Sequence, residues 1–303
     1  MRFTLDALVV DVPEDQLEEG RAFYASRKPG RGPGTLEELR HARASRGDAA
    51  PVEPAATVTT IPSACGPVPI RILAPKNAPA QGVHLDIHGG GFYMDSAAHN
   101  DVRNRALADA LDVAVVSVDY RLAPEHPWPA APDDCEAVAL WLLENAASLF
   151  GTSRLTIGGF SAGATLALAT LLRLRSNGTG GAFAGAALQF GTYDLSAQTP
   201  AGLKISDEYF IEAYLGGVDD RTNPDISPIF GDLQGLPPTL LVVGSRDVLL
   251  EDNLAMATRL SAAGNAVELR IYPESPHGFT GHATRLAETA VTGIHSWLRQ
   301  YSS

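Results

Sequence analysis

The sequence predicts an α/β protein built on a mostly parallel sheet with helices on both faces. From residue 57 onward, short apolar runs alternate with longer stretches of helical spacing. Most of these runs are apolar along their whole length, as strands covered on both sides are. Several also end in a glycine-containing turn that leads straight into the next helical stretch, as LTIGG leads into SAGATLALATLLRLR.

In chain order, DQLEEGRAFYASR and GTLEELRHARASR read as two polar helices separated by the breaker KPGRGPG. They are too polar to form a core of their own and are expected to lie on the rest of the molecule. VTTIP and VPIRILAP read as strands around a Cys-Gly-Pro turn. HLDIH (84–88) is a strand, followed by helix-compatible sequence through ALADAL. AVVSVDY (114–120) is the next strand, followed by the helical DDCEAVALWLLENAASLF. LTIGG, AGAALQF and TLLVVG are further strands, the last followed by the helical LEDNLAMATRLSAAG. ELRIYP (268–273) precedes a final helix, ATRLAETAVTGIHSWLRQY. One interval breaks this rhythm. Between Gln189 and Leu240 lie roughly 50 residues, far beyond an ordinary βα connection, and within them ISDEYFIEAYLGG suits a short amphipathic helix. The expected division is cap helices in 1–50, a catalytic domain of 51–195 with 225–303, and a cap insertion at 196–224.

Composition narrows the function. Hydrophobic residues make up 45% of 303 and charged residues 19%, enough apolar material for a large core. The net charge of -12, with no basic run, argues against a nucleic-acid partner. Cys65 and Cys135 carry no metal or redox spacing and make no disulfide framework. No segment has the length of a membrane span, and no basic, cleavable leader is legible at the start. The expectation is a cytoplasmic protein without metal or cofactor.

Ligands of such sheets sit beyond the carboxyl ends of the strands, and four notable sequences fall there: HGGGF (88–92), GFSAG (159–163), GSRD (244–247) and SPHGF (275–279). GFSAG fits G-x-S-x-G, in which a tight strand-to-helix turn lifts a serine clear of the sheet, and Gly159 and Gly163 leave room for it. Ser161 is the candidate nucleophile, with helix capping as its competing role. A hydroxyl needs a base, and His277, beyond the last strand, follows the serine–acid–histidine order of such sites. The acid that orients it is Asp247, in the turn after LLVVG, ahead of Glu251, Asp252 and Glu274. Donors to an oxyanion are available from the glycines at 89–91 and from the Ala162 N–H at a helix start. A phosphate loop is the competing reading of HGGG, but the P-loop lysine is missing.

Together HGGGF, DYRLAPEHPWPAAPDD (119–134), GFSAG, GSRDVLLEDN and SPHGF resemble the hormone-sensitive-lipase-like carboxylesterases, the bacterial family IV esterases, across essentially the whole chain. The resemblance implies an α/β-hydrolase fold with an eight-stranded sheet and hydrolysis of short acyl or aryl esters without a cofactor. It implies Ser161, Asp247 and His277 as catalytic residues, and Gly90, Gly91 and Ala162 as the oxyanion hole. His88, Gly89, Gly159 and Gly163 become structural parts of the motifs. Phe92, Phe160, Tyr209, Phe210 and Tyr214 are expected to line a pocket for modest apolar groups, with packing of cap on core as their competing role. Two positions depart from the family pattern: Phe160 stands where aspartate is usual, and Ala164 where a second glycine is usual. An amidase or lactonase with the same triad, or a ligand-binding protein on the same scaffold, are the alternatives; the intact His277 speaks against the last. The partner is a small-molecule ester, and a homodimer stays open.

Overall fold

A computed structural model describes residues 4–27 and 32–302. Helices α1 (Glu14–Ala25) and α2 (Leu36–Ser45) come first, the latter capped by Thr35, whose hydroxyl accepts from the Glu38 N–H. Most of the KPGRGPG breaker falls on residues 28–31, outside those described. Then come β1 (Thr57–Ile61), β2 (Val68–Leu73), β3 (Gly82–Ile87), α3 (Asp101–Leu111), β4 (Val113–Val118) and α4 (Ala130–Phe150). They are followed by β5 (Leu155–Phe160), α5 (Ala162–Ser176), β6 (Phe183–Gln189), α6 (Pro200–Leu203) and α7 (Tyr209–Leu215). The chain closes with β7 (Thr239–Gly244), α8 (Leu250–Ala262), β8 (Val267–Tyr272) and α9 (Arg285–Ser302).

The eight strands form one sheet in the order β1-β2-β4-β3-β5-β6-β7-β8. β1 and β2 pair antiparallel at one end, and every pairing from β4 to β8 is parallel. The mostly parallel, eight-stranded expectation is therefore met. Strands β3, β4 and β7 are buried at every position, because helices cover both sheet faces. One core holds Leu85, Ile87, Val116 and Ile157 with residues of α4, α5 and α8; the other holds Val113, Val115 and Val242 with residues of α3 and α9.

The second face of β3 is polar, and this matters for the site. Val83, Leu85 and Ile87 point into the first core, while His84 and Asp86 are buried between them on the opposite side. Each polar group has partners there: His84 Nδ1 meets Thr156 Oγ1 at 2.9 Å, and Asp86 Oδ2 accepts from Asn100 and Asn104 at 2.9 and 2.8 Å. Burial pushes the His84 pKa down to about 4, so its ring is neutral.

The long interval after β6 carries α6 and α7. The helix expected in ISDEYFIEAYLGG is only Tyr209–Leu215, because Gly216 takes φ 54 and stops it. α1 packs against α9, and its Arg21 reaches Glu274 in the loop after β8, with Nη2–Oε1 at 2.6 Å.

Candidate active site

The parallel strands bring HGGGF, GFSAG, GSRD and SPHGF to one sheet edge, and their side chains meet. His277 Nε2 lies 3.0 Å from Ser161 Oγ, while His277 Nδ1 lies 3.1 and 3.0 Å from the two oxygens of Asp247. Asp247 is buried (6% exposed), whereas His277 and Ser161 are open enough for a ligand to reach. The Asp247 carboxylate also accepts from the Leu249 N–H at 2.8 Å, which fixes its plane. Glu251, Asp252 and Glu274 make no contact with His277. Glu251 pairs with Lys204, and Glu274 with Arg21 and Arg246. Asp252 accepts instead from the backbone of Tyr193 and Asp194.

The turn at Ser161 has the geometry its glycines suggest. Ser161 sits at φ 53, ψ -126, a strained backbone for a residue with a side chain. A Cβ on Gly159 would stand 2.5 Å from the Ile87 carbonyl oxygen, and one on Gly163 would collide with the same oxygen. Helix α5 starts at once at Ala162, so its first amide points at the space beside the serine. Ala164 is fully buried within α5.

Across that space runs the 88–92 loop. Gly90, Gly91 and Phe92 all have positive φ (105, 60 and 62), and a Cβ on Gly90 would run into the Met94 carbonyl. The Gly90 carbonyl accepts from Tyr93 and Met94, while the N–H groups of Gly90, Gly91 and Ala162 have no acceptor among the described residues. His88 Nδ1 bonds to the Gly89 carbonyl at 2.8 Å, and its ring stacks on Tyr120 with centroids 4.1 Å apart. Burial holds the His88 pKa below the ordinary histidine value. Tyr120 donates its hydroxyl to the carbonyls of His88 and Gly89, at 3.0 and 3.2 Å.

The aromatic residues expected at a pocket fall in three places. Phe92 and Tyr214 are each 1% exposed and stack on one another with centroids 3.9 Å apart, which makes them a packed wall behind the loop. Tyr209 and Phe210 are half-buried, with Phe210 Cβ 3.2 Å from where a Cβ on Gly91 would be. Phe160 points to the other side of the sheet, against Gly89, Phe190 and Arg103.

Some contributors were not singled out as site residues from the sequence. Phe190, at φ 40, sets its ring edge-on to His277 at 5.1 Å. Arg43 of α2 donates to the carbonyls of Tyr93 and Ala123, tying the first helices to the loop. The Trp128 N–H holds the end of α7 through the Tyr214 carbonyl at 2.8 Å. Tyr120 was within reach of sequence reasoning, because it ends the run AVVSVDY (114–120) on the same edge. Phe190 ends the run AGAALQF in the same way, whereas Arg43 left no such signal. Among the described residues no cluster of histidine, cysteine, aspartate or glutamate is arranged to hold a metal, and no helix is long and apolar enough to cross a membrane.

A serine on a strained strand-to-helix turn, at the carboxyl edge of such a sheet and in line with a histidine and a buried carboxylate, belongs to the α/β hydrolases. The family model described as the alpha/beta hydrolase fold matches residues 84–281. The carboxylic ester hydrolase LipN of Mycobacterium tuberculosis is 35% identical over 74% of this chain, and the chain spans 64% of LipN's length. The carboxylesterase NlhH of the same organism is 34% identical, covering 71% of this chain and 72% of that protein. A hormone-sensitive lipase structure from a metagenome library superposes with a TM-score of 0.71 at 31% identity, over 88% of this chain and 91% of the other. The chain belongs to the α/β-hydrolase family and, within it, to the hormone-sensitive-lipase-like branch.

Proposed function

We propose that the protein is a serine carboxylesterase that cleaves small acyl or aryl esters through an acyl-enzyme. The observation that carries this is the unbroken line Asp247–His277–Ser161, with hydrogen bonds of 3.0 to 3.1 Å at a serine held at φ 53. Ser161 Oγ attacks the ester carbonyl carbon while His277 Nε2 takes its proton. Asp247 keeps its charge and stabilises the imidazolium. The carbonyl oxygen, now an oxyanion, accepts from the Gly90, Gly91 and Ala162 N–H groups, each worth about 3 kcal/mol in such sites. The C–O bond to the alcohol breaks as His277 returns the proton to the leaving alkoxide. Water then attacks the Ser161 ester and gives its proton to His277. The acid departs as Ser161 regains its proton.

Residues 1–50 and 196–224 act in this scheme as a two-part cap over the site. Tyr209 and Phe210 offer an apolar wall close to the loop, and the nearness of Phe210 to Gly91 favours short acyl groups. The exposed Cys65 and the buried Cys135 are free thiols, as a reducing compartment keeps them, and a cytoplasmic location is part of the proposal.

The test is hydrolysis of p-nitrophenyl esters from acetate to octanoate, with an anilide and a lactone alongside, by the protein and by Ser161→Ala. Fast turnover of acetate and butanoate, with a fall of roughly 10⁴-fold or more in the folded variant, is expected. Retained turnover by Ser161→Ala would remove the serine from its role.

A further inference from the structure

Phe160, where this sequence leaves its family's pattern, has specific surroundings. It is the last residue of β5 and points to the face covered by α3 and α9. One edge of its ring lies so close to Gly89 that a Cβ there would meet Cε2 at 2.5 Å and Cδ2 at 2.7 Å. Over the ring lies the Arg103 guanidinium from α3, 4.8 Å from the ring centroid. Arg103 makes no carboxylate hydrogen bond among the described residues; Asp86 attracts it only from a distance. Burial holds the nearby His84 and His295 at pKa values of about 4, so neither competes with it as a cation. These groups, with Asn104 and Gln189, surround a cavity of about 60 Å³ under the sheet edge. The ring therefore lies between the backbone of Gly89 and the Arg103 guanidinium.

We propose that Phe160, backed by Arg103, is a positioning residue that sets Gly89 and so aims the Gly90 and Gly91 N–H groups at the developing oxyanion. The proposal rests on the serine-esterase reading of the site. An aspartate before the serine can hold neighbouring donors by hydrogen bonds, and phenylalanine cannot. It holds the loop by contact, and contact is only as firm as what stands behind the ring. Without Arg103, nothing charged backs the ring and Gly89 loses part of its support. A displaced donor weakens the bond to the oxyanion more than the bond to the neutral ester. The consequence falls on turnover, independently of the length of the acyl chain.

The test compares Phe160→Leu, Arg103→Leu and the double variant by kcat and KM on p-nitrophenyl esters from acetate to octanoate. Affinity for a trifluoromethyl ketone, which Ser161 converts to a tetrahedral oxyanion, is measured in parallel. Expected are falls in kcat of roughly 30-fold and 5-fold for the single variants, with KM within about twofold at every chain length. Ketone affinity falls in step with kcat/KM, and the double variant is no worse than Phe160→Leu because both act through one ring. A change in KM that grows with acyl length at unchanged kcat would make Phe160 a pocket wall and overturn the proposal. So would multiplying effects in the double variant. If Phe160→Leu does not fold, Arg103→Leu with the ketone decides: unaltered affinity refutes the backing role. Ser161→Ala separates the two levels. An active Ser161→Ala overturns the esterase reading, whereas an inactive one beside a fully active Phe160→Leu overturns the positioning alone.

Discussion

On one flank of Ser161, His277 and Asp247 are tied by hydrogen bonds between ionisable groups, with the Asp247 carboxylate fixed further by the Leu249 N–H. On the other flank, the Gly89–Gly91 backbone is held by a tyrosine hydroxyl, a stacked histidine and the pressed ring of Phe160. Phe190 links the two, 5.1 Å from the His277 ring and 6.3 Å from that of Phe160. In the proposed reaction the first flank moves a proton and needs particular side chains. The second offers backbone amides and needs only that the backbone stay still. The proposed reaction thus draws on chemistry on one side and on packing on the other.

Breaking the first flank should cost most. Asp247→Asn leaves the shape in place but favours the wrong imidazole tautomer, and a fall of roughly 10⁴-fold in kcat on p-nitrophenyl butanoate is expected with little change in melting temperature. A loss under tenfold would mean that another carboxylate orients His277. Gly89→Ala attacks the second flank by volume. Its Cβ has nowhere to go against the Phe160 ring and carbonyl, so a destabilisation of about 1–3 kcal/mol in urea melts is expected along with lost turnover. Tyr120→Phe removes only the hydroxyl that holds the His88 and Gly89 carbonyls. It should cost about 1 kcal/mol of stability and reduce kcat roughly tenfold, sharpening the contrast with Asp247→Asn.

The smallest effect concerns pH. Burial pushes the Asp252 carboxyl, near the start of α8, up from 3.8 to about 7. The folded state then binds this proton more tightly than the unfolded chain. Its contribution to stability is full below the unfolded value and is lost as pH rises through about 7. Asp252→Asn should remove that downward slope from a series of melting temperatures between pH 4 and 7. An unchanged slope would assign it to other groups.

The same contrast explains what was legible in the sequence. Ser161, Asp247, His277 and the three glycines stood out because their chemistry admits few residue types and each follows a strand. The parallel sheet was legible from the uniformly apolar runs. Phe160 was visible only as a departure, and its place among pocket residues followed from the apolar ring alone. Strand alternation turns it toward α3, where Arg103 waits, and that pairing depends on how α3 crosses the sheet. Phe92 and Tyr214 look like pocket aromatics in sequence, yet they stack face to face and keep 1% of their surface each. Which face of an aromatic residue is free is decided by tertiary packing, and no local pattern encodes it.

The most direct test of Ser161 as the nucleophile is covalent. The protein is treated with diethyl p-nitrophenyl phosphate, which transfers its phosphoryl group to an activated serine and releases p-nitrophenolate. Peptide mass spectrometry then locates the adduct while esterase activity is followed. One diethylphosphoryl group is expected, on Ser161, appearing in step with the loss of activity. Full activity with Ser161 modified, or inactivation with Ser161 untouched, would contradict it.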